Sequence, residues 1–211
     1  MRLFHRGEAA GPNPEAAPVD ATDGAQTGMA AGIDVHRLTL TALFIALIFI
    51  FTYVIKVPSP GMGYVHPGDG FILLAAIFLG PAMSALAAGV GSALADLIGG
   101  YFIFAPATLI IKAAEALVFY LLFKLILRFL DRWEPRVQLI ALIPASVPAT
   151  ALMVLGYYAY EALVFGPGIA LASVLSNIGQ AATSIIIAFV LYYPLSLVFT
   201  RQQQRFLKPK H

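Results

Sequence analysis

No cysteine occurs among the 211 residues, which excludes disulfides, thiolate zinc sites, iron–sulfur clusters and cysteine nucleophiles. Charge is scarce as well. Charged residues make up 11% of the chain, where a soluble domain carries about 25%. The formal net charge is +2, too small to argue for nucleic acid, and no basic tract with interleaved aromatics stands outside the apolar segments. Trp133 is the single tryptophan. Signatures of chemistry are missing too. There is no G-x-x-x-x-G-K-[ST], so the chain has no P-loop for ATP, and no H-E-x-x-H. Gly89-Val-Gly91 lacks the strand and third glycine of a dinucleotide fingerprint. Two of the four histidines lie in the tails, and nothing resembles a catalytic triad. A membrane enzyme acting on a lipid has no nucleophile–base pair to support it.

What the chain has in excess is apolar surface. Hydrophobic residues reach 60% and the mean hydropathy is +0.84, more than one soluble core of this length can hide. The bilayer is the natural solvent for such a composition. Residues 1–34, rich in Ala, Gly, Pro and acids, read as a disordered tail. That stretch lacks the apolar core of a cleaved signal peptide. Six apolar segments follow: Leu38–Ile55, Phe71–Leu79, Ala82–Ile98, Pro106–Leu127, Leu139–Tyr160 and Ile169–Phe199. The second is short and ends at Gly80-Pro81, which leaves open whether it crosses fully. The expected fold class is an all-α integral membrane protein, a bundle of six transmembrane helices over 35–200, with a basic cytoplasmic tail at 201–211. Lys124, Arg128, Arg132, Arg136, Arg201, Arg205, Lys208 and Lys210 fall on one side with Arg37, and only Lys56 on the other. The positive-inside rule then puts both termini in the cytoplasm.

Polar groups within the spans are the informative residues, because a charge at the bilayer centre costs about 2.5–3.5 kcal/mol on insertion scales. Lys112 and Glu115 lie three apart on one face of the fourth span. The plain reading is a mutual ion pair that lets the helix insert; the functional one is a binding site for a polar ligand. Ser173, Ser176, Asn177, Gln180 and Ser184 form a stripe on the sixth span, and Ser146, Thr150, Met153 and Tyr157 a line on the fifth. Small polar residues also serve ordinary helix packing. Tyr158, Tyr160 and Glu161 stand at the fifth span's outer end, where tyrosines often form an interfacial belt. Asp96 and Tyr101 end the third span on the same side. The inner halves are plain, so the polarity is one-sided, which predicts a pocket open outward and closed inward. The loop from Val57 to Asp69, full of Pro and Gly, suits a lid that would carry Tyr64, His66 and Asp69. A lone His66 is weak support for a metal site. The third span holds small-x-x-x-small pairs such as Ala87/Gly91, expected to pack internally, and the first holds Ala42-x-x-x-Ala46.

On these residues the chain resembles the substrate-binding S component of energy-coupling-factor (ECF) vitamin transporters. The similarity covers about 35–200 and is most specific at Gly63-Tyr-Val-His-Pro-Gly-Asp69, Leu79-Gly-Pro81, Gly91-Ser-Ala-Leu-Ala-Asp-Leu97, Gly100-Tyr101 and Thr108-Leu-Ile-Ile-Lys112. It looks most like the branch that includes riboflavin-type S components. The resemblance implies a small six-helix protein that captures one vitamin-like molecule from outside beneath its first outer loop. It then delivers the molecule inward with a transmembrane T component and two ATPases. The chain is thus expected to be no enzyme and to hold no cofactor, ATP being used by its partners, and to sit in the cytoplasmic membrane. Ala42 and Ala46 match the family's A-x-x-x-A signature for contact with the T component. Lys112, Glu115, Asn177 and Gln180 would hold the ligand's polar groups, Asp96 would bind it or cap the outer loops, and Tyr101 and Tyr157 would stack on its ring. Thiamine-type members often use tryptophan there; Trp133 lies instead in a cytoplasmic connection. Riboflavin, pyridoxine-like compounds, hydroxymethylpyrimidine, queuine-like bases and pantothenate remain as ligands. The rival reading is a self-contained secondary transporter or channel with Glu115 as its proton site.

Overall fold

The computed structural model describes residues 35–132 and 134–207, with side chains as far as residue 198. The N-terminal tail 1–34, Trp133 and residues 208–211 lie outside the described residues. The elements run α1 (Val35–Tyr53), β1 (Val57–Pro58), β2 (Tyr64–Val65), α2 (Gly68–Leu79), α3 (Pro81–Ile98), α4 (Ala105–Leu130), α5 (Pro135–Val164) and α6 (Pro167–Leu207). Each apolar segment read from the sequence becomes one helix. Proline stands in the first turn of α3, α4 and α5 and opens α6, where its missing N–H costs nothing and its fixed φ suits the helix. Pro144 and Pro148 lie inside α5 and Pro194 inside α6 without ending either helix. Packed neighbours make interior prolines tolerable in membrane helices. The backbone of α6 stays helical through Leu207, beyond the expected end of the span at Phe199.

Four helices, α1, α3, α5 and the Pro167–Val198 part of α6, are long and apolar enough to cross a bilayer. With 26 residues, α4 has comparable length and carries Lys112, Glu115, Lys124 and Arg128. The short second segment differs. Its 12 residues rise about 18 Å, less than a hydrocarbon core of about 30 Å. Every one of them is buried, and α1, α3, α4 and α6 all pack on it. A helix that is apolar all round belongs in an interior. This central helix therefore does not present a face to lipid, and its first residue is Gly68, not Phe71.

Close packing depends on small residues. A Cβ on Gly91 would lie 2.9 Å from the Ile45 carbonyl oxygen of α1, and one on Gly89 would lie 2.8 Å from the Leu109 carbonyl oxygen of α4. These two positions let α3 touch both neighbours backbone to backbone. Gly80, between α2 and α3, has φ 77°, a region other residues rarely enter. The inner half is sealed by aromatics. Phe44, Phe119 and Phe123 are fully buried, and Phe78 stacks on Tyr192 with centroids 6.3 Å apart. The Tyr192 hydroxyl donates to Gln138 Oε1 at 2.8 Å.

Candidate functional site

At the opposite, lid-bearing end, the loop after α1 is a tight hairpin. Val57 pairs with Val65 and Pro58 with Tyr64, and Ser59 N–H donates to the Gly63 carbonyl. Beneath it lies a narrow cavity of about 30 Å³, room for about one or two water molecules. Thr52, Ser59, Gly63, Tyr64 and His66 form one side of the cavity. Asp96 of α3, Phe104 and Thr108 at the start of α4, Tyr157 and Glu161 of α5, and Asn177 and Gln180 of α6 form the other. The helical residues are each the inward-facing member of their helix at its outer end, so the wall follows from helical spacing alone. Five of the residues singled out in the helices thus converge: Asp96, Tyr157, Asn177, Gln180 and the helix-end Glu161. Tyr64 and His66 join them from the lid.

The hairpin is pinned at several points. Tyr64 donates to Asp96 Oδ1 at 2.6 Å, and the Ser59 and Ser176 hydroxyls meet at 2.6 Å. His66 N–H donates to Gln180 Oε1 at 3.0 Å. The His66 ring nitrogen Nδ1 lies 3.2 Å from both the Gly68 N–H and the Thr52 hydroxyl. Because the backbone N–H can only donate, Nδ1 is the acceptor and the ring is held neutral with its proton on Nε2. Burial pushes the His66 pKa down to about 4, against the opposing pull of the Asp69 carboxylate. Burial, reinforced by the Asp96 carboxylate, raises that of the Tyr64 hydroxyl. Gly68 has to be glycine here, since a Cβ would lie 2.2 Å from Thr52 Oγ1. Tyr101 packs against Tyr64 as a tilted pair, with centroids 4.6 Å apart and 53° between the ring planes. The Lys56 ammonium rides over the rings of Tyr53, Tyr64 and Tyr101 at 4.7, 4.6 and 5.2 Å. Such cation–π contacts are worth about 0.5–1 kcal/mol each at exposed sites.

Next to this cavity sits a fully buried charged cluster. Lys112 Nζ donates to Asp69 Oδ2 at 2.6 Å and to Glu115 Oε2 at 3.4 Å, and all three side chains have zero exposure. Gln180 Nε2 also donates to Asp69 Oδ2 at 2.6 Å. The Lys112 ammonium stands 5.3 Å from the centre of the Tyr157 ring, whose hydroxyl donates to Thr108 Oγ1 at 3.0 Å. Two expectations are corrected. Asp69 is not a lid residue: Pro67 is the N-cap, so Asp69 falls in the first turn of α2, where its charge suits the helix dipole. Lys112, Glu115 and Tyr101 are not among the residues lining the cavity. The short partner of Lys112 is Asp69, and Glu115 is its longer one.

Thr52 and Phe104 also line the cavity, as does Thr108, the first residue of the Thr108–Lys112 motif. Thr108 was legible, since it lies one turn before Lys112 on the same face of α4. Thr52 and Phe104 carried no such mark. Ala42 and Ala46 lie on the exposed side of α1, opposite its buried row Leu40, Thr41, Phe44, Ile48 and Thr52. Among the described residues no three His, Asp or Glu side chains gather to hold a metal ion.

Comparison with known proteins agrees with this fold. A solved structure described as the S component of a bacterial ECF transporter superposes with a TM-score of 0.59 at 20% identity, covering 78% of this chain and 97% of that one. The S component for biotin from an ECF-type ABC transporter superposes with a TM-score of 0.55 at 18% identity, covering 80% and 95%. These likenesses establish the fold. A protein of Pyrococcus woesei, described only as an uncharacterized protein in a gap 3' region, is 36% identical over 145 residues, which are 68% of this chain and 90% of that protein. The family model for the ECF-type riboflavin transporter S component matches residues 32–197. Six helices, a cavity beneath a hairpin and this match over most of the sequence place the chain in the ECF-type riboflavin transporter S component family, a family of membrane-embedded substrate-binding transport subunits and not of enzymes.

Proposed function

We propose that this S component captures riboflavin from outside the cytoplasmic membrane and hands it inward with a T component and two ATPases. The observation that carries the ligand class is the lining of the cavity under the hairpin, which combines aromatic rings with several hydrogen-bonding side chains and widens to admit the vitamin when the hairpin lifts. Riboflavin offers a planar ring system, a ring edge of donors and acceptors, and a chain of hydroxyls. The rings of Tyr64, Tyr157 and Phe104 suit the plane, each aromatic pair adding about 0.5–1.5 kcal/mol beyond area burial. The Asn177 amide can both donate to and accept from the ring edge, and Asp96 and Glu161 can accept from hydroxyls. Tyr101 acts on the ligand only through Tyr64, against which it packs at a tilt. In this reading Lys112, Glu115 and Gln180 hold the wall and the lid instead of touching the vitamin. Lid closure excludes water and strengthens every polar contact inside.

Because the chain has no P-loop, the energy for delivery comes from the partner ATPases. The test is titration of the detergent-purified full chain with riboflavin, whose fluorescence should be quenched to a one-to-one end point by stacking on tyrosine. Pyridoxine and pantothenate should neither compete nor raise the melting temperature. No quenching with riboflavin, alongside stabilisation by another vitamin, would move the assignment to that vitamin. Uptake that survives without the ATPases and collapses with a protonophore would replace the importer reading with a secondary transporter.

A further inference from the structure

The pins that hold the hairpin down are not equivalent. Tyr64 to Asp96, Ser59 to Ser176 and His66 Nδ1 to Thr52 each join the lid to one side chain at the mouth. The bond from His66 N–H to Gln180 continues inward. The Gln180 amide is used at both ends: its oxygen accepts from the lid and its nitrogen donates to Asp69 Oδ2 at 2.6 Å. Its orientation is forced, since only the oxygen can face an N–H and only the nitrogen a carboxylate. The same Asp69 oxygen takes the Lys112 ammonium at 2.6 Å. A chain of hydrogen bonds therefore runs from the lid backbone through one amide to a buried ion pair, and its inner links are charge-assisted.

His66 and Gln180 also have two sides. Both line the cavity under the lid, and both line a second, mostly apolar groove with Ile55, Val57, Val65 and Pro67 between the hairpin and α6. The His66–Gln180 contact is thus part of the partition between the two spaces. Parting it joins them, and it exposes the His66 N–H to water on the groove side.

We propose that Gln180 is the latch of the lid, a positioning residue that ties the hairpin to the Asp69–Lys112 pair, and that the ligand passes sideways between hairpin and α6 when His66 and Gln180 separate. This rests on the hairpin being the lid of the binding site. It also reassigns Gln180 from ligand contact to control of access.

The test needs no ligand, so its failure is distinct from failure of the riboflavin assignment. The cysteine-free chain allows single-cysteine reporters without background. Asn177→Cys places a thiol under the lid at a position 7% exposed. Ala95→Cys, fully buried at the same end of α3 and outside the cavity lining, reports general loosening. The full chain in liposomes is labelled with a membrane-impermeant maleimide. Gln180→Leu should speed labelling at 177 by ~10-fold or more, the size expected on losing a hydrogen bond to a charged group, and leave 95 unchanged. An unchanged rate at 177 in Gln180→Leu would overturn the latch, and so would equal acceleration at 95.

Discussion

Lys112 serves two carboxylates with one positive charge, out of reach of water. That stoichiometry makes the three members unequal. Lys112→Met leaves Asp69 and Glu115 facing each other uncompensated, and removing one partner of a buried pair costs about 3–5 kcal/mol. Glu115→Gln instead leaves the short Asp69–Lys112 pair intact and removes the surplus carboxylate, so its cost should be about 1 kcal/mol or less. Thermal unfolding in detergent should show a large fall for the first variant and little change for the second; equal falls would mean that Glu115 is the principal partner. His66 gives a pH dependence. Its pKa is lowered to about 4 in the closed, folded site from an ordinary 6.5. The neutral ring accepts from Gly68 N–H, and the protonated ring cannot. The stability it lends is therefore complete above pH 6.5 and is lost as pH falls from 6.5 toward 4, by up to about tenfold per unit. The melting temperature should fall over that window, and in His66→Gln the slope should flatten; a wild-type slope in that variant would assign the titration to another group. The three-residue spacing of Lys112 and Glu115 was legible in the sequence. Asp69 was not, because it lies 43 residues from Lys112, and the Pro and Gly around it read as loop when Pro67 is in fact a helix cap.

At the scale of elements, the helices were legible because long apolar runs bounded by Pro and Gly permit little else in a membrane. The hairpin was not, since strands of two residues leave no alternation to read. Nor could the sequence of α2 say that protein, not lipid, surrounds it, because both demand the same apolar side chains. The small residues of α3 were legible as packing positions, and the structure names their partners. Gly91→Ala forces a methyl to 2.9 Å from the Ile45 carbonyl oxygen and 3.0 Å from the Ile48 side chain. Backbone cannot yield as a flexible side chain can, so α1 must move off α3, at a cost of about 1–3 kcal/mol. Gly168→Ala, with open space around its Cβ, should change nothing by the same melting measurement. If Gly91→Ala melts like wild type, the α1–α3 contact is looser than its geometry implies.

The described residues divide into a half with the polar cavity under the hairpin, where the ligand is proposed to bind, and a half of mostly aliphatic and aromatic packing. In the proposed importer the partners must act on a surface of this chain to deliver the ligand inward. On α1 the buried row faces α2 and α3, while Ala42 and Ala46 lie exposed, one turn apart, near the end where the chain's positive charges collect. Alanine at both positions leaves a shallow trough flanked by Leu43 and Ile50, which are each 46% exposed. A partner helix can approach closely along such a trough, and van der Waals packing is the main source of affinity between helices in lipid. Ala42→Leu or Ala46→Leu fills it without touching the cavity, whose lining begins at Thr52 on this helix. Each variant should therefore bind riboflavin as wild type when purified alone. Each should also fail to copurify with the T component and ATPases, and lose ATP-driven uptake by about tenfold or more, one steric clash of 1–3 kcal/mol being enough. If uptake and copurification persist in both variants, the partner docks elsewhere on the bundle. If ligand binding falls with them, α1 transmits strain to the lid through Thr52 and His66, and the two halves are coupled more tightly than their separate packing suggests.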